Sequence, residues 1–565
     1  MTTHASQGTS RRRWFGLFFI SLGVALIIVD STIVNVAIPS IIDDIGLTSS
    51  GAQWVQEIYT LVFAALLLVW GRLADQWGRR RLFIIGVVIF AGSSVLAAMA
   101  GTGTLLILAR AVQGIGGSMM LPTSLSLLNA GFRGKERGIA FAFWGATIGG
   151  MAALGPLLGG WLTTSFSWRW AFGINIPLGL FVIVGMILYV AESKDEHAKA
   201  GTDIPGAVLA AVGFGGLVFG LIEGRNFGWL EAAGDFTAFG WTWPWSVSAS
   251  AVAGTIGVAA LVTFVLMERG RNIRGDAAML DLSLFNIPSF RNGNIAAAIV
   301  SLGEFGVIFS LPLWLQSVTG YTAFQTGLAL LPLAIGSFAA SGVSATIGQR
   351  FTPVTLVRMG IALEIVGIAG FGLLLRTESG WLTTTPLLFV YGVGVGLATA
   401  QLTGVVLVDV PVERSGQGSG TQSTARQVGS ALGIAILGTI LFTTLGSRLD
   451  DALKAMGQLP DMARLKFVDA VKDSAGAVIP SLRADPSTAP VAEAARNAFT
   501  DAARASALSA AAFLVVGMLA SLSLGGHKHD KPRHASEDAA SAAATEDAAE
   551  GVESPAPHPL HAATD

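Results

Sequence analysis

A helix needs roughly 20 predominantly apolar residues to cross a hydrocarbon core. Fourteen stretches of this chain meet that demand, beginning near positions 14, 53, 82, 104, 138, 171, 204, 243, 292, 324, 355, 384, 420 and 505. The first run, 14–38, is too long for a cleaved secretory signal and lacks a small-residue cleavage site, so it counts as span one. Two polar segments stand apart from the spans. Residues 446–504 include helix-compatible stretches such as 462–471 and read as a small helical cap or hairpin. Residues 526–565 are rich in Ala, Asp, Glu and Pro, which predicts a disordered tail. The pattern as a whole predicts an all-α polytopic membrane protein of fourteen transmembrane helices.

Composition sharpens that picture. Of the 565 residues, 52% are hydrophobic and 13% charged, about half the charged share of an ordinary soluble domain. Lys and Arg number 35 against 37 Asp and Glu, so the basic field of a nucleic-acid partner is missing. Cysteine is absent, which excludes thiol catalysis, thiolate metal sites and disulfide scaffolds. The positions of Lys and Arg set the orientation. With both termini in the cytoplasm, the inner segments (411–426 among them) carry 23 of the 35 basic residues, and the short outer loops carry three, Arg169, Arg225 and Arg376. The loop 446–504 holds eight basic and eight acidic residues. Trp241, Trp243 and Trp245 read as an interfacial aromatic belt. The expected location is the bacterial cytoplasmic membrane, where the chain is read as a monomer whose partner is the lipid bilayer.

The chain carries faint internal echoes. Residues 78–82 followed by Gly86 recur in degenerate form as 352–356 followed by Gly360, an offset of 274, and Glu136-Arg137 recurs as Glu413-Arg414 at 277. Similar offsets imply two six-span halves with spans seven and eight inserted between them. The boundaries are then 1–192 and 291–525 for the halves, 193–290 for the inserted helices with their linker, and 526–565 for the tail.

The loop after span two reads Gly71-Arg72-Leu73-Ala74-Asp75-Gln76-Trp77-Gly78-Arg79-Arg80-Arg81. Small residues permit a tight turn and close helix approach, and a carboxylate there can pair with Arg or face a helix N-terminus. Span one contains Asp30-Ser31-Thr32-Ile33-Val34-Asn35-Val36-Ala37-Ile38-Pro39, and span five runs through Gly145 and Gly149 to Gly155-Pro156-Leu157-Leu158-Gly159-Gly160. After span five comes Trp168-Arg169-Trp170-Ala171-Phe172-Gly173-Ile174-Asn175-Ile176-Pro177. In order and spacing these resemble the fourteen-span drug:proton antiporters of the major facilitator superfamily. The resemblance implies the major facilitator fold, a conformational latch at Gly71, Asp75, Gly78 and Arg79, and an antiporter motif at Gly155, Pro156, Gly159 and Gly160. Small residues at such spacing also serve plain helix packing.

Charges near the bilayer centre are costly and are therefore candidates for function. They are Asp30 in span one, Arg110 in span four, Glu304 in span nine and Glu364 in span eleven, with Glu57 in the outer third of span two. All seven histidines fall outside the spans, so proton coupling runs through carboxylates. The resemblance implies transport roles for Asp30 and Arg110. Their alternatives are packing hydrogen bonds, to Ser31 or Thr32 for Asp30 and to Gln113 for Arg110. Phe305, Phe309 and Trp314 offer an adaptable apolar lining.

The leading expectation is a proton-driven exporter of amphipathic, cationic small molecules working by alternating access. It uses no cofactor beyond the proton gradient. Two alternatives stay open: a dedicated exporter of an endogenous lipid, glycolipid or antibiotic, and a non-transporting membrane sensor or scaffold. No nucleophile and base pair, metal cluster or phosphate loop points to an enzyme.

Overall fold

Inside a bilayer every backbone N–H and C=O must be satisfied within the protein, and the apolar runs meet that demand as helices. The computed structural model describes residues 3–132, 134–194, 203–234, 236–238, 241–274, 278, 280, 282–347, 350–411, 415–457 and 459–523. Helices α1 (Thr3–Ile45), α2 (Ser49–Trp77), α3 (Arg79–Ala98), α4 (Gly103–Gly131) and α5 (Gly134–Ser165) come first. The next apolar run divides into α6 (Trp170–Gly173) and α7 (Asn175–Tyr189). The inserted pair is α8 (Ile204–Phe227) and α9 (Ala249–Arg274), with a short hairpin, β1 (Thr237–Ala238) and β2 (Trp241–Thr242), between them. Then follow α10 (Pro288–Ser317), α11 (Ala323–Ile347), α12 (Pro353–Leu374), α13 (Trp381–Leu407) and α14 (Ser415–Met456). The chain ends in α15 (Asp461–Asp473), α16 (Ile479–Ala484) and α17 (Ala489–Leu522). Several starts have a local cause: Thr48, Thr102 and Thr352 accept the amides of Gly51, Leu105 and Thr355 and so cap α2, α4 and α12.

Among the described residues twelve helices are long and apolar enough to cross a membrane. Helices α2 and α5, 29 and 32 residues long, bring the long helices to fourteen. The segment 446–504 is helical, built from the end of α14, α15, α16 and the start of α17. The tail 526–565 lies outside the described residues.

Two helix sets are visible in the packing. In the first, α1 packs on α5 and α7, and α4 on α2 and α3; in the second, α10 packs on α14 and α17, and α13 on α11 and α12. Two seams join them, α5 against α11 and α2 against α14. Each seam pairs the second helix of one set with the fifth of the other, the reciprocity that a two-fold relation between repeats requires.

The offset of 274 recurs at atomic level. A Cβ on Gly86 would lie 2.8 Å from the Gly116 carbonyl oxygen, and one on Gly360 would lie 2.8 Å from that of Gly394. Gly155 and Gly159 of α5 sit against Thr32 and Ile33 of α1; their equivalents 274 residues on, Gly429 and Gly433 of α14, sit against the carbonyls of Ala298 and Leu302 on α10. Backbones approach this closely only where no side chain intervenes.

The inserted helices pack on one another through Gly216, Gly220 and Gly257, and α8 lies against both α2 and α14. Trp54 of α2 donates to Glu223 of α8 at 2.8 Å, and Thr439 of α14 donates to the Leu221 carbonyl at 2.9 Å. The inserted pair thus covers one seam and leaves the α5–α11 seam to itself. Trp241, Trp243 and Trp245 stack edge to face beside the hairpin, with ring centroids 4.5 to 5.8 Å apart.

Candidate functional site

The first set closes around a polar centre. Asp30 (α1) and Arg110 (α4) are completely buried and form an ion pair. Gln113, one turn on from Arg110, donates to Asp30 Oδ1 at 2.8 Å, and Asn175 of α7 donates to the same oxygen at 2.7 Å. Both amides also reach the Ser94 hydroxyl of α3, at 2.8 and 3.2 Å. Arg110 donates to Gln113 Oε1 at 2.8 Å and to the Val55 carbonyl of α2 at 3.1 Å, and its guanidinium lies 4.3 Å from the centre of the Tyr59 ring. Five helices therefore hold one carboxylate and one guanidinium. Two buried charges are tolerable only with such geometry, because their desolvation must be offset by the pair and by further hydrogen bonds. Arg110 thus meets both Asp30 and Gln113. Ser31 and Thr32 turn instead to the Ile28 carbonyl.

The second set holds a different centre. Glu304 of α10, 274 residues after Asp30, is buried and accepts from Thr399 of α13 at 3.2 Å. Glu364 of α12 is fully buried under Gly394, and neither of its oxygens has a hydrogen-bond partner among the described residues. Tyr391 of α13 points its hydroxyl at the Glu304 carbonyl, 3.4 Å away. The two carboxylates interact electrostatically with each other and with Arg426 of α14. Arg426 corrects the sequence reading, which assigned 411–426 to a cytoplasmic segment: it lies within the apolar span Gly420–Met456. The helix runs through its polar first turns without a break, so the apolar pattern begins later than the helix does.

Glu57 lies between the sets. It is fully buried on α2, faces the Ala435 backbone of α14, and neither oxygen completes a hydrogen bond among the described residues. One turn earlier, Gln53 donates to the Ile434 carbonyl across the same seam at 3.2 Å. Sequence depth alone left Glu57 at the interface with solvent; the covering helix α14 buries it. Trp314, read as a cavity lining, is instead packed inside the second set against Phe371 and donates to Thr500 at 3.1 Å.

At the loop after α2 the decisive partner is Glu192, which sequence reasoning missed. Its carboxylate accepts the amides of Arg80 and Arg81 at 2.9 and 3.1 Å, at the N-terminus of α3 where the helix dipole favours an anion. Gly78 has φ +112°, and a Cβ there would fall 2.8 Å from the Glu192 carboxyl carbon. Gly71 lies near Pro122, the Arg79 amide donates to the Ser193 carbonyl at 2.9 Å, and the Asp75 side chain lies outside the described residues. Residues 413 and 414, the echo of Glu136-Arg137, also lie outside them.

The antiporter-motif residues divide between two jobs. Gly155 and Gly159 face α1, whereas Gly160 meets Ala323 and Phe324 of α11, and Gly327 of α11 sits 2.5 Å, measured to a Cβ it lacks, from the Pro156 carbonyl oxygen. The hydrogen bonds between the two sets lie toward one end of the bundle, where α1 ends and α2 begins. Besides Gln53 to Ile434 they are Gln316 to the Val36 carbonyl at 3.0 Å and the Phe324 amide to Thr164 at 3.0 Å.

A family model described as Major Facilitator Superfamily matches residues 20–230 and 206–434. Multidrug resistance protein Stp of Mycobacterium tuberculosis is 32% identical, the alignment covering 90% of this chain and 92% of that protein. Puromycin resistance protein pur8 of Streptomyces alboniger is 33% identical over 77% of this chain and 83% of its own length. The probable actinorhodin transporter of Streptomyces coelicolor is 33% identical over 79% and 75%. Among solved structures, an inward-facing, unoccupied bacterial homolog of the human lysosomal transporter Spinster shares the fold, with a TM-score of 0.59 at 15% identity over 91% of this chain and 98% of that one.

Proposed function

Because the chain belongs to the Major Facilitator Superfamily and is a multi-pass transporter rather than an enzyme, we propose that it is a proton-driven exporter of amphipathic, cationic small molecules. Relatives named for multidrug resistance, puromycin resistance and actinorhodin transport support drug or antibiotic export. The observation that carries proton coupling is the pair of carboxylates, Glu304 and Glu364, buried in the second set beside a single guanidinium. A proton and a cation compete for such a site. Asp30 with Arg110 anchors the first set, and Glu57 senses the seam. Gly71, Asp75, Gly78 and Arg79 form the latch. Gly155 and Gly159 hold α5 to α1, while Pro156 and Gly160 close α5 on α11.

With both termini in the cytoplasm of a bacterium, the bonded end of the bundle is the outer one, and the described conformation is closed to the outside. Each proton entering down the gradient then supplies about 2.3 kcal/mol per 100 mV. The test is efflux of a cationic dye from proteoliposomes under an imposed pH gradient. Efflux should follow the gradient and be lost in Glu304→Gln and Glu364→Gln; efflux indifferent to the gradient overturns proton coupling. The relatives named for one antibiotic favour a second reading, a dedicated exporter, which predicts transport of a single compound class and no dye efflux.

A further inference from the structure

Arg426 is the feature of the second set that the proposed function leaves unassigned. It sits on α14 one turn before Gly429, where α14 lies flush on the Ala298 carbonyl of α10. The groups that face it and the two carboxylates are few. Helix α10 contributes Glu304, α12 Glu364 and α13 the Tyr391 hydroxyl with Thr399. Helix α11 has no ionisable residue. The arginines of α17 are occupied near helix ends, Arg496 on the Val318 carbonyl and Arg504 on that of Gly372. Among the described residues one guanidinium therefore serves two buried carboxylates.

Charge balance follows. Two carboxylates that share a desolvated site cannot both stay ionised at low cost, whereas one ionised beside Arg426 and one protonated give a neutral cluster. We propose that Arg426 is the positioning residue that makes Glu304 and Glu364 a store for one exchangeable proton, given up when a monocation enters. This rests on the antiport reading above. On release the proton leaves as H⁺ from the neutral carboxyl to solvent, and the site passes from neutral to one net negative charge, which the arriving monocation restores to neutral. The first set cannot do the same, because the oxygens of Asp30 are already taken by Arg110, Gln113 and Asn175.

The location of Arg426 also matters. In the first set the guanidinium sits on α4, inside its own set; in the second it sits on α14, the helix that forms the seam with α2. The charge state of the store is thereby carried by an element that must move when the seam opens.

The experiment uses the full chain, purified in detergent, with tetraphenylphosphonium as the probe. Binding is followed against pH, and protons released per cation bound are counted in weak buffer. The unmodified protein should release about one proton per cation. Arg426→Gln should shift the binding profile to higher pH by at least about one unit, a tenfold change in proton concentration. Arg426→Lys, which keeps the charge, should stay near the original profile. Glu364→Gln alone should abolish proton release, and combining it with Arg426→Gln, which restores charge balance, should return the profile to its original position. A structural role for Arg426 would give no such return. An unshifted Arg426→Gln profile, or a double variant that behaves like Arg426→Gln, overturns the assignment while leaving antiport standing. Absence of proton release from the unmodified protein overturns antiport itself, and the store with it.

Discussion

A carboxylate buried among helices needs a countercharge, hydrogen bonds or a proton, and Asp30 has the first two in full. Removing one partner strands the other. Asp30→Asn and Arg110→Met should each destabilise the fold by about 3 kcal/mol, the scale for breaking a buried pair, and the double variant should cost less than their sum. Chemical denaturation in detergent measures this; strict additivity would mean that the pair is not coupled. Gly78 is a second point of strain avoidance. A side chain at φ +112° would meet the Glu192 carboxyl that caps α3. Gly78→Ala is therefore expected to cost about 1–3 kcal/mol, read as a lowered melting temperature. Glu192→Ala should recover part of that loss when added to it, because the clash disappears with the carboxylate.

Glycine placement decides how the helices meet. Gly159 and Gly433 each hold a backbone contact inside one set, so Gly159→Val and Gly433→Val should lower thermal stability alike. Gly160 and Gly327 hold the seam between sets, and Gly160→Val should instead shift the conformational balance towards opening at the bonded end. Thiol labelling at Thr164→Cys reports this: faster labelling with an unchanged melting temperature is expected, and a simple loss of fold would contradict it. The existence of these elements was legible in the sequence because a bilayer leaves an apolar run of this length one solution. The repeat was legible too. Its offset of 274, read from Gly86 and Gly360, also relates Asp30 to Glu304 and Gly155 to Gly429. What stayed hidden was company. Nothing in the sequence says that Arg110 meets Asp30, that Glu192 returns to cap α3, or that α14 covers Glu57, since each contact joins residues brought together only by helix packing. Arg426 was misassigned for a related reason: hydropathy marks where the apolar stretch begins, and α14 starts before it.

Seen as a whole, the molecule has two sets that touch along two seams, and the seams are not alike. At α2–α14 the inserted helix α8 bonds to both partners, through Trp54 to Glu223 on one side and Thr439 to Leu221 on the other. That ties the two moving elements to a common bridge and seals the groove between them against lipid. The α5–α11 seam has no bridge, and its closure depends on the direct contacts of Gly160 with Ala323 and of the Phe324 amide with Thr164. If the sets rock against one another, this unbridged seam must part each time the site faces the opposite compartment. A covalent link across it should then stop the cycle with the site intact. The chain has no cysteine of its own, so a Thr164→Cys, Phe324→Cys pair can be oxidised without competing thiols. Cross-linked protein in proteoliposomes should lose gradient-driven dye efflux, still bind tetraphenylphosphonium in detergent, and regain efflux when a reductant opens the bond. Efflux at an undiminished rate through fully cross-linked protein would mean that the α5–α11 contacts persist throughout transport, and that the motion runs through the bridged seam instead.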